Sequence, residues 1–132
     1  MSRNYSMNIE VRGFASRRCR RIVAVCCREW NFEADDFSFL IPHSPQQSNM
    51  TASADGQLCG GETESEFTDR LAAAVWAANG QYCEIMVQAT YLDDLPHSTR
   101  TMQEDEYRAW RRRYFSWTTR QRPRFAAPRT NA

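Results

Sequence analysis

Apolar positions along this chain switch between two spacings, and each switch marks an element. Over residues 7–14, Met7, Ile9 and Val11 alternate with Asn8, Glu10 and Arg12, the period of a half-buried strand. Past Gly13 the spacing becomes three and four. Cys19, Ile22, Val23, Cys26, Cys27 and Trp30 form one stripe, which predicts a helix over residues 16–31 with Ser16 as its N-cap. Alternation returns over residues 37–42 with Phe37, Phe39 and Ile41, and Pro42 ends that strand or holds it at a sheet edge. The polar residues 43–49 predict a loop. Asp55-Gly56 is a turn dipeptide, so residues 50–54 and 57–60 are expected as the arms of a short hairpin.

Thr63-Glu64-Ser65-Glu66 reads as a capping box, with Thr63 and Glu66 exchanging side-chain and backbone bonds. The helix it starts runs to Asn79 and buries Phe67, Leu71, Ala74, Val75 and Ala78. Asn79-Gly80 supplies a left-handed stop. Residues 82–91 alternate again through Cys83, Ile85, Val87, Ala89 and Tyr91, and residues 92–96 turn the chain. Thr101-Met102-Gln103-Glu104 resembles a second capping box. It opens a helix to about Tyr114, with acids in its first turn and arginines in its last, as the helix dipole prefers.

This order predicts an α+β fold: a small ferredoxin-like α/β sandwich, β-α-β-(β)-α-β, with an added C-terminal helix. The third strand carries the weakest pattern. Residues 1–6 read as an N-terminal extension and 7–117 as one domain. Residues 118–132, polar, arginine-rich and proline-containing, read as a disordered tail.

With 132 residues and a hydrophobic fraction of 42%, the chain can bury one modest core. No apolar run approaches the roughly 18 residues of a membrane span, so no membrane partner is expected. The first residues hold no secretory-type apolar stretch. Five cysteines at irregular spacing do not form a disulfide framework. Reduced thiols in a cytoplasmic setting are the expectation.

Charge changes the picture more. All 17 cations are arginine and none is lysine, with a formal net charge of +1. Residues 1–28 hold seven arginines and one acid; residues 29–107 hold two arginines and fifteen acids; residues 108–132 hold eight arginines and no acid. Arginine-favouring codon usage explains the missing lysine but not this segregation. Sign asymmetry of this kind governs which surfaces attract.

Candidate chemistry is sparse. His43 and His97 both lie near prolines, and no zinc, Gly-rich phosphate-loop or nucleophile-elbow motif is present. His43, Cys59, Cys83 and His97 lack metal-site spacing. Asp35-Asp36, Asp93-Asp94 and Glu104-Asp105-Glu106 fall where turns and a helix start belong, which reads as solvated acid. No cofactor or metal is expected.

The arginines carry the better signal. Arg17, Arg18, Arg20 and Arg21 crowd the first turns of the first helix, against its dipole and against one another. Arg17, Arg21 and Arg28 would share one side. Near the C-terminus, Arg111, Arg112, Arg113, Arg120, Arg122 and Arg124 interleave with Tyr107, Trp110, Tyr114, Trp117 and Phe125. Such a mixture suits nucleic acid, the cations meeting phosphates and Trp117 offering a stacking face. Tyr107, Trp110 and Tyr114 share the spacing of a stripe packed on the domain itself. The expected partner is nucleic acid or a nucleic-acid-handling protein. One alternative is a protein-binding inhibitor whose acidic middle occupies a basic groove; another is an enzyme using a carboxylate or thiol site. The charge division also permits self-association, basic ends against acidic middle.

Ala77-Ala78-Asn79-Gly80, Ala89-Thr90-Tyr91-Leu92-Asp93-Asp94-Leu95-Pro96 and Glu104-Asp105-Glu106-Tyr107 together resemble short prokaryotic and phage-type reading frames, over about residues 67–110. The resemblance implies a bacterial, phage or mobile-element origin and transfers no activity.

Overall fold

The protein is described here by a computed structural model covering residues 3–44, 46–93 and 97–121. Five antiparallel strands and three helices build an α+β fold. They are β1 (Arg3–Ala15), α1 (Cys19–Glu29), β2 (Phe37–Ser44), β3 (Gln47–Leu58), α2 (Glu64–Asn79), β4 (Glu84–Tyr91), β5 (His97–Met102) and α3 (Glu104–Gln121). A 3-10 turn, Ser16–Arg18, precedes α1, and another, Ala34–Asp36, precedes β2. The strand order is β2-β3-β1-β4-β5.

β1 is central because its alternation is the longest. Tyr5, Met7, Ile9 and Val11 are each at most 2% exposed and point to the face covered by α1 and α2. Ile22 and Cys26 of α1, and Phe67, Leu71, Ala72 and Val75 of α2, close over them. Burying each large aliphatic or aromatic chain contributes about 1.5–3 kcal/mol. On the opposite face Asn8, Glu10 and Arg12 neighbour Ser53, Thr51 and Asn49 of β3, and Gln88, Met86 and Glu84 of β4. Both α1 and α2 lie on the other side of the sheet, as antiparallel sheets allow.

Several expectations change, among them the start of the first strand, which lies at Arg3 inside the expected N-terminal extension. The loop expected over residues 43–49 is mostly strand: β2 reaches Ser44, β3 begins at Gln47, and Ser44 pairs Gln47, with residue 45 outside the described residues. Asp55-Gly56 does not turn. β3 runs straight through it, held along its length by β1, and Gly56 pairs Tyr5. Glycine is needed there for another reason. The Trp30 indole lies on it, and a Cβ at position 56 would sit 2.8 Å from Trp30 Cζ2. Residues 97–102 form an edge strand that the sequence pattern did not reveal. Among its described side chains only Met102 is apolar, and Arg100 spends its inward position donating to Ser65 and pairing Asp69 at 2.8 Å.

Caps follow the same logic. Thr63 and Glu66 exchange their bonds at 3.1 and 2.9 Å, and Gly80 ends α2 at φ 79°. The second box shifts by two residues. Thr101 and Met102 belong to β5, and the helix opens after Gln103, whose N–H donates to Glu106 at 2.9 Å. Ser16 does not cap α1; its hydroxyl bonds that of Ser48, and the residue before α1 is Arg18, with no side-chain cap. The backbone of α3 stays helical to Gln121, past the expected end near Tyr114. Among the described residues no helix is long and apolar enough to cross a membrane.

Candidate functional site

The start of α1 and the end of α2 are tied together. β1 passes into α1 through the Ser16–Arg18 turn, and the Ala15 N–H donates to Asn79 Oδ1 at 2.9 Å. Asn79 is 2% exposed and its amide donates onward to the Gln81 carbonyl at 2.9 Å. Gly80 follows in the left-handed conformation, its N–H donating to the Trp76 carbonyl. Arg18 lies over Gly80, with a guanidinium nitrogen 3.7 Å from where a Cβ would stand.

That placement eases the conflict seen in the sequence. α1 has no acid in its first turn and no side-chain cap, so arginines there oppose its own dipole. α2 ends beside them with no basic residue in its last turn. Arg18 therefore supplies the cation that the α2 C-terminus lacks, from another element. Compensation is partial: Arg18 Nε is enclosed with no hydrogen-bond partner among the described residues.

The α3 helix brings Arg111 of the second arginine cluster to the same end of the molecule. Trp76, Ala77, Gly80, Tyr107, Trp110, Arg111 and Tyr114 line a shallow cleft of about 130 Å³. Arg18 therefore approaches Gly80, and Arg111, from the other end of the sequence, lines the same cleft as Gly80. Aromatic contacts hold α3 there. Trp76, 2% exposed, donates its indole N–H to the Cys83 carbonyl at 2.9 Å and meets Tyr107 edge-on at 5.2 Å. Trp110 tilts onto Trp76 at 5.6 Å, and Tyr114 stacks on Trp110 at 5.2 Å with 19° between planes. The series runs from the core outward to Tyr114, 43% exposed.

The other candidate arginines are placed differently. Arg17, Arg20 and Arg21 are exposed at the start of α1, and Arg112 is exposed on α3. No acid pairs with these four among the described residues. Arg28 is at the far end of α1, paired with Glu29 at 3.0 Å, so it does not join Arg17 and Arg21. Arg113 borders a different cleft, of about 280 Å³, with Asp69, Arg100 and Glu106. Trp117 and Arg120 lie on the α3 backbone with side chains outside the described set; Arg122 and Arg124 lie outside the described residues.

Much of the acidic middle is consumed internally. Arg70 donates to both Glu62 oxygens at 2.9 Å and also reaches the carboxylate and carbonyl of Glu29. Burial pushes the Glu29 carboxyl up, but the bonds from Arg70 and Arg28 more than offset this and hold it below its ordinary range. The Tyr5 hydroxyl donates to Glu64, which lowers the Glu64 carboxyl, while burial and then that same bond push Tyr5 up to about 12. On the open sheet face Arg12 pairs with Glu10.

A cleft of about 340 Å³ lies between α2 and the β4–β5 edge beside Glu64, Thr68, Val87 and Arg100. Its charged groups are already engaged: Glu64 accepts from Tyr5, and Arg100 is held by Ser65 and Asp69. Among the described residues no cluster of three or more His, Cys, Asp or Glu could hold a metal ion. Cys26 and Cys83 are buried, and burial pushes both thiols up to about 12, away from nucleophilic behaviour.

Sequence reasoning did not select Gly80, Asn79 or Trp76 as parts of this end of the molecule. Asn79-Gly80 was legible only as a helix stop, and Trp76 fell outside the expected stripe because α2 is buried on two sides, against the sheet and against α3. No protein-family model, curated protein or solved structure matches this chain.

Proposed function

We propose that the protein is a non-enzymatic accessory module that binds nucleic acid through the end where α1 begins and α3 crosses α2. The observation that carries this reading is that Arg17, Arg20 and Arg21 at the start of α1, and Arg112 on α3, are exposed with no acid partner among the described residues. Cations that approach one another without acid partners repel, and phosphates relieve that repulsion. The open sheet face is a poorer candidate. It presents amides and hydroxyls with Glu10, Asp55 and Glu84, against a single described arginine, Arg12. The internal pairing of Glu29, Glu62, Glu64 and Asp69 likewise weakens the alternative in which the acidic middle mimics nucleic acid for a host protein.

The first four strands and two helices read as a ferredoxin-like β-α-β-β-α-β unit to which β5 and α3 are appended. The neighbour order β2-β3-β1-β4 within the sheet supports this. A bacterial, phage or mobile-element origin and a cytoplasmic setting are consistent with such a module.

The test is a salt titration of binding to labelled single strands and duplexes. Neutralising Z phosphates gives a log–log slope of about −0.9Z on duplex and about −0.7Z on single strands. The combined variant Arg17→Gln, Arg20→Gln, Arg21→Gln should flatten that slope by about two to three units without moving the unfolding midpoint. No binding at low salt would sink the proposal.

A further inference from the structure

We infer that β2 pairs edge to edge with the β2 of a second copy of this chain, antiparallel about a two-fold axis beside Phe39. The pairing needs no ligand and stands apart from the nucleic-acid reading. β2 ends the strand order, so one row of its backbone N–H and C=O groups meets no strand among the described residues. Proteins commonly blunt such an edge with charge. From Phe37 to Ser44 the sequence places no acid and no arginine, and Pro42 removes a donor only towards the far end. The register with β3 is regular from Phe37 to Leu40, a stretch on which a further strand can be laid.

Phe39 is the apolar residue that this edge leaves open. Phe37 pairs Ala52 and Phe39 pairs Met50, so both point to the face that holds the core. Phe37 is covered, 8% exposed with Phe32 at 5.6 Å, whereas Phe39 is 57% exposed. A two-fold axis beside Phe39 lays the same ring of the second copy against it, which is the self-complementarity an isologous interface requires.

Charge selects a second copy as the occupant. Glu33, Asp35 and Asp36 stand just before β2, and no cation pairs with them among the described residues. At the other end of β2, Ser44 pairs Gln47, Gln47 pairs Ala15, and the Ser16 N–H donates to the Gln46 carbonyl at 2.9 Å. The exposed Arg17, Arg20 and Arg21 follow directly, so they stand at that end. Antiparallel pairing brings the acidic end of each β2 beside the basic end of the other, and symmetry does this twice. With strands about 4.8 Å apart, Ala15 lies about 14 Å from the partner's strand, too far for contact ion pairs. The fields therefore orient the pairing rather than lock it, and the arginines stay open to phosphate. The interface belongs to the small class, below about 1,200 Å² in all, so the dimer forms and dissociates with concentration.

The experiment is sedimentation equilibrium of the nuclease-treated chain from low to high micromolar concentration. Wild type, Phe39→Lys, Phe39→Glu and an equimolar mixture of the two variants are measured, each with its urea midpoint. Wild type should pass from the mass of one chain to that of two and no further. Each variant alone sets like charges together and should weaken association at least about tenfold, while the mixture sets opposite charges together and should recover the dimer. Asp35→Arg should weaken the dimer about threefold by reversing one of the orienting charges. A monomer at every concentration, growth past two chains, a dimer indifferent to Phe39→Lys, or a mixture that stays monomeric would overturn the inference. An unchanged association in Asp35→Arg would overturn its antiparallel orientation. A failure to bind nucleic acid would sink the earlier proposal and leave the dimer standing. Phe39 is exposed enough that both variants should keep the wild-type midpoint. A variant that does not is replaced by Phe39→Ser, which removes the ring and must also weaken association.

Discussion

Substituting Gly56 by alanine isolates the contact that decides how β3 is built. The backbone there is not left-handed, so alanine can adopt it. The new methyl would lie 2.8 Å from Trp30 Cζ2, 3.0 Å from Cε2 and 3.2 Å from Cη2, where carbon contacts settle near about 3.5–4.0 Å. Trp30 would have to retreat by several tenths of an ångström. It is 7% exposed, donates its indole N–H to the Ala54 carbonyl at 2.9 Å and meets Phe67 edge-on at 5.1 Å, so little room exists. Overpacking costs about 1–3 kcal/mol and a strained hydrogen bond up to about 1 kcal/mol more. The smaller conformational entropy of an unfolded alanine returns about 0.5 kcal/mol. The net expectation is a loss of about 2 kcal/mol.

Urea unfolding at constant m reads this directly. The decisive arm is the double variant with Trp30→Leu. With the indole gone, alanine at 56 should be neutral or stabilising by about 0.5 kcal/mol, a coupling of about 2–3 kcal/mol between the two sites. A hairpin turn at Asp55-Gly56 would make the cost independent of Trp30. If Gly56→Ala is neutral beside Trp30, or its cost persists in Trp30→Leu, the reasoning fails.

Asn79→Ala should cost about 2–4 kcal/mol in the same assay, because it strands the Ala15 N–H and the Gln81 carbonyl in a buried place; a loss under about 0.5 kcal/mol would mean that water replaces both bonds. Stability should be full below about pH 9 and fall as pH rises towards 12. Tyr5, Cys26 and Cys83 hold their protons to about 12 when folded, mainly through burial, whereas the unfolded chain gives them up from about 9 to 10. A flat urea midpoint from pH 8 to 11 would refute that linkage. A disulfide-exchange reagent should modify exposed Cys59 first, and Cys26 and Cys83 only as the chain unfolds; prompt reaction of all five thiols would contradict the buried positions.

Local pattern was enough wherever the controlling contact lies within one turn or one pleat. The alternation through Met7, Ile9 and Val11 and through Ile85, Val87 and Ala89 specified two central strands, because both faces of each carry opposite polarity. Thr63 with Glu66, and Asn79-Gly80, delimited α2 because a cap is satisfied by residues three positions away. Segregation of the arginines was equally plain. What the pattern could not carry was pairing across distance. β5 stays hidden because an edge strand with Arg100 turned inward has little apolar contrast. Gly56 mimicked a turn because glycine serves both a reversal and a close approach, and only Trp30, a helix away, distinguishes them.

The candidate site divides the same way. The sequence by itself determined that arginines crowd both ends of the chain and that aromatics accompany one of them. Only the tertiary structure decided that Arg18 lies over Gly80, that Arg111 lines the same cleft as Gly80, that Arg28 lies at the far end of α1, and that the aromatic series runs outward to an exposed Tyr114. The physical reason is that charge and periodicity are properties of neighbours along the chain. A surface instead depends on the sheet register that sets α2 beside α1 and on the Trp76 contacts that lay α3 across it.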